Sequence, residues 1–233
     1  MATFQPEPRI ASLNHIVELL RTTATRAPAH QQLFGQSVRL AAGTEALVRL
    51  ASTRDPTITD GAHVKRVATA AAQLRKEATA ALDRMNAAVQ SGMDEIAKSR
   101  NTKVRLIPDP AYASEVRAHY RSLDHVKQFA LLGELVDGNR GPELAAIVKA
   151  PASLTGITPD IAQRFTTAIH EKHSPQEMEA EAALMKAFEA ALTALTPARE
   201  VVEAYSDPVR MAEITKAEEA ASAAAAQFKS ALP

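Results

Sequence analysis

The chain has 233 residues, and Lys plus Arg and Asp plus Glu each number 27, so its formal net charge is zero. No global field therefore favours nucleic acid or an anionic membrane, and the lack of cysteine excludes disulfides and zinc–thiolate sites. About a fifth of the residues are alanine and none is tryptophan. Since alanine removes little apolar surface from water, we expect a thin core that neighbouring proteins help to bury.

The first eleven residues predict an extended arm, because MATFQPEPRI carries two prolines and no apolar run. The same composition does not fit a signal peptide. Phe4 lies among these prolines and is predicted to bind in a groove of a partner protein. No apolar run later in the chain approaches the roughly 20 residues of a membrane span.

Long helices are predicted over residues 12–100. Apolar residues recur at steps of three and four from Asp60 to Lys98 without an intervening proline, which predicts the longest helix of the chain. The sequence NTKVRLIPDP then breaks the pattern. Residues 101–109 are therefore predicted to be an extended connector between this long-helix unit and a second helical unit, 110–233.

Proline delimits the shorter helices predicted in residues 110–233. Thr158-Pro159 and Asp207-Pro208 each place a capping side chain before a proline that can begin a helix without losing a hydrogen bond. Ser174-Pro175 adds Glu177 at the capping-box position. The sequence thus predicts an all-α helical bundle with long helices in its N-terminal half and an array of shorter, proline-delimited helices in its C-terminal half.

The last predicted helix contains the alanine run ASAAAA, followed by Phe228. Alanine faces let helices approach closely but gain little by packing within one chain. We therefore predict that Phe228 lies at an interface, and that the partners are other structural proteins, including further copies of this chain.

Two histidines raise the question of a metal site. His170 and His173 are three residues apart and would share a helix face, but a usable site needs a third well-placed ligand. The favoured interpretation is that both residues close a helix at its negative dipole end. The sequence predicts neither a metal nor a cofactor.

Arg164 and His170 are spaced as Arg-x5-His, which resembles the Arg-x4–6-His signature of HEPN-type helical ribonucleases. The resemblance implies metal-independent cleavage of RNA, in which Arg164 would stabilise the scissile phosphate and His170 would act as acid or base. Phe165 departs from the polar residue that usually follows the arginine in that family. We keep this activity as an alternative function.

Four cations without an intervening acid end the long predicted helix: Lys98, Arg100, Lys103 and Arg105. Such a cluster suits phosphate contacts, so a helical nucleic-acid-binding adaptor is the second alternative. The favoured interpretation is that these cations compensate the negative end of the helix dipole. The chain lacks a Gly-rich phosphate loop and a nucleophile elbow, which favours a role without catalysis.

The segment from Ala145 to Phe188 contains five short motifs in a fixed order: Ala150-Pro151, Leu154-Thr155-Gly156, Pro159-Asp160, His170-Glu171-Lys172-His173 and Ser174-Pro175. It resembles a module of uncharacterised helical proteins of tailed bacteriophages. The resemblance implies a structural or assembly protein located in the virion and assembled in the host cytoplasm. Without that role, the expected location is cytoplasmic.

Overall fold

A computed structural model describes residues 4–23 and 27–231. Its helices confirm the all-α prediction, and no strand occurs in those residues. In chain order they are α1 (Glu7–Thr23), α2 (Pro28–Ser52), α3 (Asp60–Val104), α4 (Ala113–Ser122), α5 (His125–Asp137), α6 (Gly141–Val148), α7 (Ala152–Thr155), α8 (Pro159–His173), α9 (Pro175–Thr193), α10 (Leu195–Tyr205) and α11 (Pro208–Ala231).

The chain divides into two compact units. The first comprises Met1–Val89 and Lys186–Pro233, and the second comprises Gln90–Met185. Both boundaries fall inside helices, namely α3 and α9. The segment that we predicted to be a connector, residues 101–109, lies within the second unit.

Small side chains fill much of the first unit's core. One cluster joins Leu13 of α1 with three alanines: Ala41, Ala194 and Ala198. A second cluster brings α2, α3 and α10 together through Leu47, Val67, Ala71, Leu74, Val201 and Val202. The alanines allow close helix approach, and the larger residues supply most of the buried apolar area.

The predicted extended arm is wrong from Glu7, where α1 begins. Pro8 occupies the first turn of that helix, where the missing N–H costs no hydrogen bond. Phe4 precedes the helix, and its ring packs edge-on against Tyr205 with 6.0 Å between centroids. The Arg9 guanidinium lies 5.5 Å from the centre of the Phe4 ring, so this predicted interface residue has partners within its own unit.

The second unit has a core of larger aliphatic residues. Leu132, Leu144 and Ile169 are fully buried there, and the short helix α6 is buried from Leu144 through Val148. The other members of this core are Val104, Leu106, Tyr120, Leu135, Val136, Ala145, Ile147, Val148 and Ile157. The expectation of a thin alanine core does not describe this unit.

The extended connector predicted at 101–109 is wrong for its first four residues, because α3 continues to Val104. No proline occurs in residues 101–104, and Pro108 disfavours helix only at the residue before it. Val104 and Leu106 are buried in the core of the second unit. The chain is irregular from Arg105 to Pro108.

Two predicted caps are confirmed. Thr158 accepts a hydrogen bond from the Ile161 N–H at the start of α8, and Asp207 accepts from the N–H groups of Val209 and Arg210 at the start of α11. The capping role of Ser174 is wrong, because its hydroxyl donates to the His170 carbonyl at 2.9 Å and so closes α8.

Candidate functional site

A groove of about 830 Å³ lies at the C-terminal end of α3, within the second unit. We call it the α3-end groove. It is lined by Asp94, Ala97, Lys98, Asn101, Thr102, Arg105, Ile107, Pro108, Asp109, Pro110 and Pro142. The lining therefore combines polar and charged residues with Ile107 and three prolines.

The polar part of the lining comes mostly from one face of the last turns of α3. Lys98, Asn101 and Thr102 follow the spacing i, i+3, i+4, which places helix residues on one face, and Arg105 lies just beyond the end of the helix. Within the described part of the chain, neither Lys98 nor Arg105 forms an ion pair. These two cations are therefore open to a ligand in the groove.

Arg105 has an unusual backbone conformation for a residue with a side chain, with φ at +50°. It directly follows α3, at the position where a left-handed residue, usually glycine, ends many helices. Its N–H donates to the Asn101 carbonyl at 2.8 Å, and its carbonyl accepts from the Ile107 N–H at 2.7 Å. Because Val104 and Leu106 on either side are buried, the Arg105 side chain is directed into the groove.

Contacts from residues at the two ends of α6 hold the end of α3 in place. Gly141 approaches so closely that a Cβ atom there would lie 1.7 Å from the Val104 carbonyl oxygen. The Asn139 side-chain amide donates to the Lys103 carbonyl at 3.2 Å, and Lys149 Nζ donates to the Leu106 carbonyl at 2.6 Å. These residues position Arg105 and Pro142, and therefore the shape of the groove.

The other two cations of the predicted cluster face α9. Arg100 Nη1 lies 2.7 Å from a carboxylate oxygen of Glu181, and Lys103 Nζ lies 2.8 Å from Glu177. The Ser99 hydroxyl also donates to Glu177, at 2.8 Å. Thus Glu177 bonds to α3 rather than completing the predicted capping box, and the four-cation cluster is split into a paired half and an open half.

Glu177 is the most buried acid of this arrangement, with its side chain 10% exposed. The hydrogen bond from Lys103 holds the pKa of the Glu177 carboxyl below its ordinary value, and the bond from Ser99 adds to this effect. The carboxylate therefore stays ionised in a largely buried position. Its role in the second unit is to fix α9 to α3.

The predicted ribonuclease pair is not brought together. Arg164 and His170 are six residues apart on α8, which is about 600° of rotation, so their side chains leave different sides of the helix. Arg164 is exposed, whereas His170 is buried and its Nδ1 has no hydrogen-bond partner. The charges of Arg100 and Lys149 also act on the imidazole, and the charge of Glu181 opposes them.

Burial lowers the pKa of His170 below its ordinary 6.5, and the charges of Arg100 and Lys149 lower it further. As the pH falls, His170 is therefore protonated at a higher pH in the unfolded chain than in the folded protein. We expect the contribution of His170 to the free energy of unfolding to be largest above pH 6.5. Below that value it should fall with decreasing pH, by at most about 1.4 kcal/mol per pH unit.

Measuring the free energy of unfolding from pH 8 to pH 5 tests this expectation. The His170→Gln variant should lose this part of the pH dependence, whereas the same change at the exposed His119 should leave it intact. Parallel pH curves for the wild type and His170→Gln would contradict it.

The other histidine of the predicted metal pair has a structural partner. His173 Nε2 lies 2.6 Å from the Val136 carbonyl, which links α8 to α5. No group of three or more His, Asp or Glu side chains in the described ranges is placed to hold a metal ion. Both histidines therefore take part in helix packing, His173 through its hydrogen bond to α5 and His170 through its burial.

A second surface feature of this unit is apolar. Val126 on α5 is 81% exposed and Phe129 is 44% exposed. The Phe129 ring lies 6.0 Å from that of Phe165 on α8. We call these three residues the α5 surface patch.

The sequence alone indicated only some of the residues at the end of α3 and their contacts. It located the cations but gave no indication of which ones Glu177 and Glu181 would neutralise, because those acids are more than 70 residues away along the chain. The only local signal in the loop DGNRG is a glycine that can end a helix, Gly138. The close approach of Gly141 to Val104 has no local sequence signature.

No protein-family model, curated protein or solved structure gives a significant match to this chain. Among the described residues, no helix is both long and apolar enough to cross a membrane.

Proposed function

We propose that this protein is a structural or assembly component that acts by binding other proteins without catalysis, and that its setting is the virion of a tailed bacteriophage. The α5 surface patch carries the first part of the proposal. Val126 is largely exposed to water and Phe129 is partly exposed, although the unit has an aliphatic core in which such residues are buried. Exposed apolar side chains of this kind suit a contact with another protein.

The last helix supports the same role. Every residue of α11 from 215 to 227 is exposed, and this stretch contains the alanine run. Near its start, Ile214 lies beside Gly61 of α3, and Glu218 pairs with Lys65. The helix thus has contacts within the first unit at one end and offers an alanine-rich surface beyond them. The side chain of Phe228 lies outside the described residues, so its predicted interface role stays a prediction.

The geometry gives less support to the two alternatives. A ribonuclease acting through Arg164 and His170 needs both groups at one phosphate, and they lie on different sides of α8. A nucleic-acid adaptor using the predicted cation cluster would have two of its four cations, Arg100 and Lys103, already paired with acids.

Sedimentation velocity tests the binding role through self-association. We expect the wild type to associate in a concentration-dependent manner. Val126→Asp should raise the dissociation constant about tenfold or more, because a charge in an apolar contact costs at least about 1.4 kcal/mol. Val38→Asp is the matched control, because Val38 is an exposed valine of α2, which is outside both proposed surfaces. Concentration-independent monomers would contradict self-association.

Mass spectrometry of density-purified phage particles tests the virion role. We expect peptides of this chain at a constant ratio to the other virion proteins. Their absence from the particles, with the protein present in the same lysate, would refute the phage setting.

A further inference from the structure

We propose that a pocket between α3 and α10 of the first unit binds the C-terminal residue of a partner protein, where that residue is aliphatic, and that Arg75 and Arg199 hold its carboxylate. This inference rests on the proposed protein-binding function and names the chemistry of one partner. We call the site the α3–α10 pocket. Its volume is about 320 Å³, close to the lower end of the range for ligand sites, roughly 300–1,000 Å³, so it suits one residue rather than a long segment.

Two helix faces form the α3–α10 pocket. Arg75, Ala78 and Leu82 line it from α3 at the spacing i, i+3, i+7, which places them on one face. Arg199 and Val202 line it from α10 and are three residues apart. Val202 also belongs to the core cluster that joins α3 to α10. The two arginines are therefore presented from two helices that the core holds together.

Neither arginine of the pocket has a side-chain partner in the described part of the chain. The acids nearest to them in sequence are engaged elsewhere. Glu77 lies 3.9 Å from Arg84, and Glu200 lies 2.8 Å from Arg9. Two unpaired guanidinium groups at one small pocket are complementary to a carboxylate supplied by a ligand, since a guanidinium can donate two parallel N–H bonds to a carboxylate.

Glu203 is the third charged residue of the pocket lining. Two arginines against one glutamate leave one positive charge, which matches a single carboxylate. Arg199 precedes Glu203 by four residues on α10, which is the less favourable order for a helical ion pair, and the described residues show no pair between them. An ionised carboxylate only accepts hydrogen bonds. Glu203 is therefore suited to the amide N–H of a C-terminal residue, whereas a phosphate has no such donor and would be repelled.

The uncharged part of the lining is mostly apolar. Ala78 and Leu82 come from α3, and Leu195 and Val202 come from α10. Val202 is buried, and the two leucines are partly exposed. An aliphatic side chain would cover this surface, whereas a polar one would lose hydration there without gaining a hydrogen bond. A C-terminal leucine combines the three groups that the pocket matches: a carboxylate, an N–H donor and an aliphatic side chain.

The probe is a fluorescein-labelled peptide ending in Gly-Ser-Ala-Leu with a free carboxylate, titrated with the full-length protein. The comparison ligands are the same peptide with a C-terminal amide and a peptide ending in Gly-Ser-Ala-Ser. We expect the leucine acid to bind, and both comparison peptides to bind roughly tenfold more weakly or worse.

Arg75→Met and Arg199→Met should each weaken binding of the leucine acid roughly tenfold. Their melting temperatures should stay at the wild-type value, because neither guanidinium has a partner to lose in the described residues. Lys76→Met is the matched control. Lys76 is an exposed cation of α3 beside Arg75 but does not line the pocket, so this variant should bind as the wild type does.

Three results would overturn the inference: no binding of the leucine acid, equal binding of the amide, or affinities unchanged by both arginine substitutions. N-acetyl-leucine presents the same groups as a free small molecule, and its binding more tightly than the peptide would replace the protein partner. The virion and self-association experiments do not involve this peptide, so either proposal can fail without the other.

Discussion

Gly141→Ala is expected to destabilise the second unit by at least about 3 kcal/mol. The added Cβ atom would lie 1.7 Å from the Val104 carbonyl oxygen and 2.9 Å from its carbonyl carbon. These atoms belong to the backbone, so no rotation of a side chain relieves the clash. Either the end of α3 or the start of α6 must move, and both contribute to the buried core.

Gly133→Ala is the matched control for this prediction. Gly133 lies in α5 of the same unit, and a Cβ atom there would meet nothing within 4 Å. Since glycine inside a helix is less favourable than alanine, we expect this variant to gain about 0.5–1 kcal/mol. Chemical denaturation, monitored by hydrogen exchange of the α4–α8 amides, would measure the stability changes of both variants. Equal stability of the two variants would show that the approach at Gly141 is not tight.

The helical class was predictable because it depends on local patterns. The steps of three and four in α3 and the caps at Thr158 and Asp207 are properties of a few neighbouring residues, and all are present in the structure. The start of α1 was less predictable. Prolines near the N-terminus are compatible both with an extended arm and with a first helical turn, and the packing of Phe4 against Tyr205 adds a long-range contact that composition does not indicate.

The candidate groove was only half predictable. The sequence located the four cations, and the period of the helix places Lys98 on a different face from Arg100 and Lys103. Arg105 follows the end of α3, so the helical period does not predict its position. Which half is neutralised depends on the position of α9. Likewise, Arg105 adopts a left-handed conformation between the buried Val104 and Leu106, and no glycine in its own sequence signals such a turn.

Lys103→Met is expected to lower the free energy of unfolding of the second unit by about 1–3 kcal/mol. The loss arises less from the missing attraction than from Glu177, whose carboxylate would stay buried with Ser99 as its remaining side-chain partner. Replacing both partners, as in Lys103→Met with Glu177→Leu, should restore most of the stability, because apolar side chains do not need the lost hydrogen bonds.

Lys98→Met is the control that separates the two halves of the cation cluster. Lys98 is an exposed lysine without an ion pair in the described ranges, so its replacement should change stability by no more than about 0.5 kcal/mol. A loss for Lys98→Met equal to that for Lys103→Met would contradict the division between structural and open cations.

The pH dependence of the same variants identifies the cause of the loss. Because Lys103 holds the pKa of Glu177 below its ordinary 4.5, the wild type keeps this part of its stability above pH 4.5. It loses that part as the pH falls through the folded-state pKa. In Lys103→Met the pKa is no longer held down, so the difference between variant and wild type should shrink as the solution becomes acidic. A difference that stays constant down to pH 3 would mean that Lys103 stabilises α3 through its aliphatic stem rather than through its charge on Glu177.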